Sequence, residues 1–116
     1  MSGFYKKFYS KLAYAGRGLI YVWRHELSFR LEVLTAVGLL SYAWYVNWPL
    51  FKWMVLILLI VIILFAEIIN TVLEKLLDLI EPRLSTKVGL LKDLLAGSIL
   101  CLVIGAGLVL IGLILI

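Results

Sequence analysis

Three long apolar runs, interrupted by short polar segments, set the pattern of this chain. Residues 33–51 carry no charge, with Asn47 and Pro49 marking the far end. Residues 53–66 form a second uncharged run, about 21 Å of helix, which falls short of the ~30 Å hydrocarbon core of a bilayer. To cross, that helix has to continue past Glu67 to about Leu73. Residues 94–116 are uncharged throughout and long enough to cross with some tilt. Before these runs, Phe4, Phe8 and Leu12 recur at four-residue steps among lysines and arginines, a pattern suited to a helix lying on a membrane surface. Asn47-Trp48-Pro49 is a turn signal, and Pro82 is expected to end the long second helix. The pattern predicts an all-α integral membrane protein of one domain, residues 1–116. It has an amphipathic surface helix at about 4–26 and three transmembrane helices at about 29–47, 51–80 and 90–115.

Composition agrees: 65% of residues are hydrophobic, and the mean hydropathy is +1.13. Both lie outside the soluble globular range. Charge sets the orientation. Lys6, Lys7, Lys11, Arg17, Arg24 and Arg30 precede the first span, and Lys75, Arg83, Lys87 and Lys92 lie between the second and third. Only Lys52 lies between the first and second. The positive-inside rule then expects the N-terminus inside and the C-terminus outside. Trp44, Tyr45, Trp48 and Trp53 read as an aromatic belt at the outer interface. The net charge of +4 is explained by topology and anionic lipid, so no nucleic-acid partner is expected. The N-terminal segment lacks the apolar core and small-residue site of a cleavable signal. Cys101 is the only cysteine and permits no internal disulfide. Gly97, Cys101 and Gly105 repeat every four residues, with Gly112 a heptad further on, a face that lets helices approach closely in lipid. Three helices bury little on their own, so another copy of the chain is a candidate source of the partner helix on that face.

The chemistry concentrates in one stripe. Glu67, Asn70, Glu74 and Asp78 fall within about 80° of one another on a helix. An ionisable residue at membrane depth is costly and usually marks a functional site. There is no phosphate-binding glycine loop of the G-x-x-x-x-G-K type, and His25 is the only histidine. What remains is carboxylates, amides and lysines at the cytoplasmic boundary. Carboxylates with room for water suit Mg²⁺ bound with substrate phosphates, and a carboxylate in low dielectric suits a general base. Taken alone, the stripe fits phosphoryl transfer, a proton or cation relay, or a structural hydrogen-bond pair. Asp93 also fits an N-cap of the third span, Lys92 an interfacial anchor, and Glu26 and Glu32 solvated charges.

The run Ala66-Glu67-Ile68-Ile69-Asn70-Thr71-Val72-Leu73-Glu74, followed by Asp78 and by Lys92-Asp93, resembles the signature of the prokaryotic diacylglycerol kinase family. These are small three-span membrane kinases that include undecaprenol kinases. His25-Glu26-Leu27-Ser28-Phe29-Arg30-Leu31-Glu32 resembles the family's segment before its first span. The resemblance implies that Glu67 is the catalytic base toward a lipid hydroxyl, with Asn70 beside it. It implies that Glu26 and Glu74 hold Mg²⁺ together with ATP, and that Lys92 and Asp93 bind nucleotide. Lys7 and Tyr14 align with further nucleotide contacts. Family resemblance also implies a homotrimer with active sites shared between protomers. The chain departs from the diacylglycerol kinases at Arg83-Leu84-Ser85, where they often carry Glu-Tyr-His. Lys92-Asp93-Leu94-Leu95-Ala96-Gly97-Ser98 is closer to the undecaprenol-kinase branch, whereas Glu32 leans toward the diacylglycerol branch.

The expectation is an ATP- and Mg²⁺-dependent kinase of the prokaryotic inner membrane. It would phosphorylate a membrane lipid alcohol, diacylglycerol or undecaprenol, for phospholipid or cell-envelope lipid metabolism. The alternative is a non-catalytic membrane protein, either a small transporter or a degenerate pseudokinase. The almost wholly apolar outer halves of the spans weigh against transport.

Overall fold

A computed structural model describes residues 2–80 and 86–116, which form four helices: α1 (Ser2–His25), α2 (Leu27–Tyr45), α3 (Leu50–Ile80) and α4 (Thr86–Leu115). Each packs on the next in chain order. The turn at Pro82 and the departure at Arg83-Leu84-Ser85 lie outside the described residues. The helices match the apolar pattern closely, but α4 begins at Thr86, ahead of the run at 90–115. Asp93 therefore sits seven residues inside α4, and the N-cap reading of Asp93 is corrected. Lys87 and Gly89 made that first turn resemble a polar loop, but both lie within the helix.

Two of the helices have the length and composition to cross a membrane. They are α3 and α4, each with a hydropathy of 2.9 over its most apolar window. α3 has 31 residues, about 46 Å of helix, so it outruns a ~30 Å hydrocarbon core and carries its polar end beyond it. α2 has 19 residues and carries Arg30 and Glu32 in its first two turns, so its uncharged part alone is shorter than a bilayer core.

Burial along α2 follows a line: Phe29, Ala36 and Ala43 are buried, each seven residues from the last, or nearly two turns of helix, and Val22 is buried on α1. Ala43 is wholly buried, and on α3 Leu56 is 1% exposed. Ala43 lies six residues before Pro49 and Leu56 six after Leu50, the depth at which two antiparallel helices from one tight turn should meet. Small Ala side chains on α2 let its backbone approach α3 closely. Most other large apolar side chains point outward, Phe51, Phe65 and Leu108 among them. So much exposed apolar surface on so small a core calls for lipid or further protein around the chain. The small-residue face of α4 is open as well. A Cβ placed on Gly97, Gly105 or Gly112 meets nothing within 4 Å, and Cys101 is exposed.

The α2–α3 turn is fixed by backbone chemistry. The Asn47 N–H donates to the Trp44 carbonyl at 3.2 Å, and the Trp48 N–H donates to the Ala43 carbonyl at 3.0 Å. Asn47 itself takes a left-handed conformation, φ 57°. This is the Schellman pattern, and Asn is the residue that adopts it most readily after Gly. Pro49 follows, and its carbonyl accepts the first α3 bond, from the Trp53 N–H at 3.2 Å. The Trp48 ring meets the Tyr42 ring edge-on at 5.9 Å and Lys52 at 5.4 Å, a cluster suited to an interface. Asn47→Val should destabilise the hairpin by about 1–2 kcal/mol because a β-branched residue resists positive φ, whereas Asn47→Gly should be neutral or stabilising. Unfolding in detergent of graded denaturing strength measures both.

Candidate functional site

The α3 helix runs unbroken from Leu50 to Ile80, so Glu67, Asn70, Glu74 and Asp78 do share one face. The Asn70 amide donates to Glu74 Oε1 at 3.4 Å, one turn on. Thr71 is buried, its hydroxyl donating to the Glu67 carbonyl at 3.0 Å. Glu67 and Asn70 are half-buried, whereas Glu74 and Asp78 are exposed. The face therefore passes from enclosed to open toward the end of α3, as expected if it emerges from the hydrocarbon.

α2 brings in an acid that had been read as a solvated charge. Glu32 is half-buried, and its carboxyl lies within interaction range of that of Glu67. Below it, Glu32, Thr35, Ala36 and Leu39 of α2 face Ile60, Ile63 and Leu64 of α3 across a narrow apolar cleft. The signal was present in the sequence: Glu32 lies 17 residues before Pro49 and Glu67 17 after Leu50. Two charges equidistant from a tight antiparallel turn arrive at the same depth. Among the described residues, the side-chain atoms buried without a hydrogen-bond partner are Arg30 Nε, Glu32 Oε2 and Asn70 Oδ1. An unsatisfied buried polar atom costs stability unless a ligand, a water or another chain engages it. Two of these three belong to the Glu32 and Asn70 side chains that flank Glu67.

Glu26 sits at the break between α1 and α2 in extended conformation, φ −115° and ψ 106°. It occupies the N-cap position of α2, yet its side chain makes no capping hydrogen bond. Glu is a poor N-cap where Ser, Thr, Asp or Asn would serve, so its carboxylate is free for another role. No contact joins Glu26 to Glu74 directly. The α3 Lys75, next to Glu74, links the two regions: it lies within the fields of Glu26 and Asp78, with Nζ 5.3 Å from the centre of the Tyr21 ring. Tyr21 in turn stacks on His25 at 4.1 Å. The C-terminal end of α1 is thereby held against the polar end of α3.

From α4, Lys92 reaches across to α3, its Nζ donating to Asp78 Oδ1 at 2.6 Å. Asp93 is exposed, one position round the helix from Lys92, and joins neither partner. Lys7 and Tyr14 are exposed on α1. Tyr14 packs under the Arg17 guanidinium at 5.5 Å. Lys7 lies 18 residues before His25, about 27 Å along the helix. Among the described residues no group of three or more His, Cys, Asp or Glu side chains is gathered for a metal ion. Mg²⁺ needs only one or two carboxylates and completes its shell with phosphates and water, and the Glu74 carboxylate is exposed on the α3 face.

The sequence profile described as prokaryotic diacylglycerol kinase matches residues 13–115. The chain belongs to the prokaryotic diacylglycerol kinase family. Membership in a lipid kinase family carries kinase chemistry, with a membrane lipid and ATP as substrates, and accords with the two membrane-length helices. The match includes the whole α3 face, Glu26, Glu32 and the Lys92-Asp93 pair. Comparison with curated proteins finds no match.

The α2–α3 register can be tested directly in this family member. With Cys101→Ser as background, Glu32→Cys and Glu67→Cys together should be joined within one chain by a short bifunctional thiol reagent. Glu32→Cys with Met54→Cys should not be. Mass spectrometry after digestion distinguishes the two, and failure of the first pair would contradict the register.

Proposed function

We propose that this protein transfers the γ-phosphate of ATP to the hydroxyl of a membrane lipid alcohol, diacylglycerol or undecaprenol, at the inner face of a prokaryotic cytoplasmic membrane. The observation that carries the reading is the α3 face itself. Its half-buried carboxyl, Glu67, sits beside a second acid and an amide, and an open row of carboxylates and lysines follows. A lipid hydroxyl lies near the hydrocarbon boundary and ATP lies in water. A site for both needs this graded passage from apolar to polar.

In this reading α2, α3 and α4 all cross the membrane, with the N-terminus inside, and α1 lies on the cytoplasmic surface. Glu67 accepts the proton of the lipid hydroxyl as the hydroxyl oxygen bonds to the γ-phosphorus and the bond to the leaving ADP breaks, with Asn70 beside the base on the same face. Glu26 and Glu74 hold Mg²⁺ with the nucleotide; the bound ion would neutralise charge on the phosphates and orient them. Lys92 meets the phosphates as a point charge, with Asp93 beside it. Phosphoryl transfer needs little more of a protein than positioning and charge neutralisation, so a site with one histidine and no glycine loop suffices.

The reading also includes self-association as a homotrimer. Two observations support it: the open small-residue face of α4 and the exposure of Lys7 and Tyr14 on α1. Both side chains would serve the nucleotide site of a neighbouring protomer.

Transfer of label from ATP in mixed micelles, with diacylglycerol and undecaprenol offered in parallel, tests the proposal and names the acceptor. Glu67→Gln should lower turnover by about 10²–10⁴-fold, the usual contribution of a general base, and leave the oligomer intact by size. Wild-type activity in Glu67→Gln would remove the residue from the role of base. No labelled lipid from an intact wild-type oligomer would refute kinase activity toward these two acceptors.

A further inference from the structure

We propose that Asp78 is a positioning residue for the nucleotide phosphates, acting through Lys92. It fixes the lysine ammonium at the cytoplasmic end of the α3–α4 hairpin, so that the remaining N–H bonds of Nζ face ATP. The inference deepens the proposed kinase function and rests on it.

The geometry is that of a restraint rather than a staple. Lys92 Nζ and Asp78 Oδ1 are 2.6 Å apart, and the two side chains are 37% and 62% exposed. An ion pair this accessible to water adds little to folding stability, and α3 and α4 already pack on each other along the hairpin without it. What the contact does change is the freedom of Lys92. A lysine head on a four-carbon stem samples many rotamers, and recruiting it to a phosphate costs that freedom. A carboxylate already holding it removes much of the cost before nucleotide arrives. The ammonium has three donors: one directed at Asp78 leaves two for phosphate oxygens. Asp78 is set for this by its place on the stripe, one turn beyond Glu74, so the head it holds lies alongside a proposed ligand of the nucleotide's metal. Asp78 also lies in the electrostatic reach of Lys75. Its charge thereby offsets repulsion between two cations that would crowd the same phosphates.

The test compares the full-length wild type with Asp78→Asn, Asp78→Glu, Lys92→Met and the double variant Asp78→Asn/Lys92→Met, in mixed micelles with the accepted lipid. Asp78→Asn should raise KM for ATP about fivefold, near the upper range of coupling for an exposed pair, with kcat within about twofold. KM for the lipid should not move. Asp78→Glu should recover most of the loss, which guards against a folding defect in the asparagine variant. In the Lys92→Met background, Asp78→Asn should add no further change. An unchanged KM for ATP in Asp78→Asn, or an equal rise with and without Lys92, overturns the proposal while leaving the kinase reading intact. A wild type that phosphorylates no lipid overturns that reading and the proposal with it.

Discussion

The constraint on which the rest depends is the cost of a carboxyl group near hydrocarbon. Glu67 ends a 14-residue uncharged run, and an acid at such depth persists only where the surrounding structure or the reaction requires it. Three features of the chain answer that requirement. α3 continues as one helix for another 13 residues beyond Glu67, keeping Asn70, Glu74 and Asp78 on its face. α2 presents Glu32 at the same depth. The break at Glu26 leaves another carboxylate free at the start of α2.

The two hairpins do different work in this arrangement. The α2–α3 turn, closed by Asn47 and Pro49, sets a register in which Ala43 meets the depth of Leu56 and Glu32 that of Glu67. The packing that fixes the apolar contacts thereby fixes the separation of the two acids. A shift of one helical turn between α2 and α3 would move Glu32 by about 5.4 Å along the axis and separate it from Glu67. The α3–α4 hairpin has its polar contact at the far end, where Lys92 crosses to Asp78. One hairpin thus shapes the half-buried end of the α3 face and the other its exposed end, with α3 common to both.

Much of this was legible in the sequence. The uncharged runs, the Asn47-Trp48-Pro49 turn and the 80° stripe needed only helical geometry, and the helices fall where those signals put them. The E-x-x-N-x-x-x-E spacing, with Asp78 and Lys92-Asp93 beyond it, resembled the family that the match over residues 13–115 shows. Contacts between helices were harder to read. Glu32 looked like a solvated charge because it was considered on its own helix, although its distance from Pro49 mirrors that of Glu67 from Leu50. Asp93 looked like an N-cap because Lys87 and Gly89 disguised the first turn of α4. The Asp78–Lys92 pair required knowing how α3 and α4 align, which periodicity within a single helix does not report. The crossing of α2 was inferred from a run that its charged first turns shorten.

The depth of the α3 face decides whether a lipid hydroxyl and a nucleotide can meet on it, and spin labels measure that depth. Labels attached at Phe65, Ile69, Leu76 and Leu79, in the Cys101→Ser background and in a bilayer, should pass from access by dissolved oxygen to access by an aqueous nickel chelate. The change should fall near Ile69, with Phe65 on the lipid side and Leu79 in water. Chelate access already at Phe65 would place Glu67 in open water. Oxygen-dominated access as far as Leu79 would bury the whole stripe beyond the reach of ATP. Either result would contradict a site where a lipid hydroxyl and a nucleotide meet.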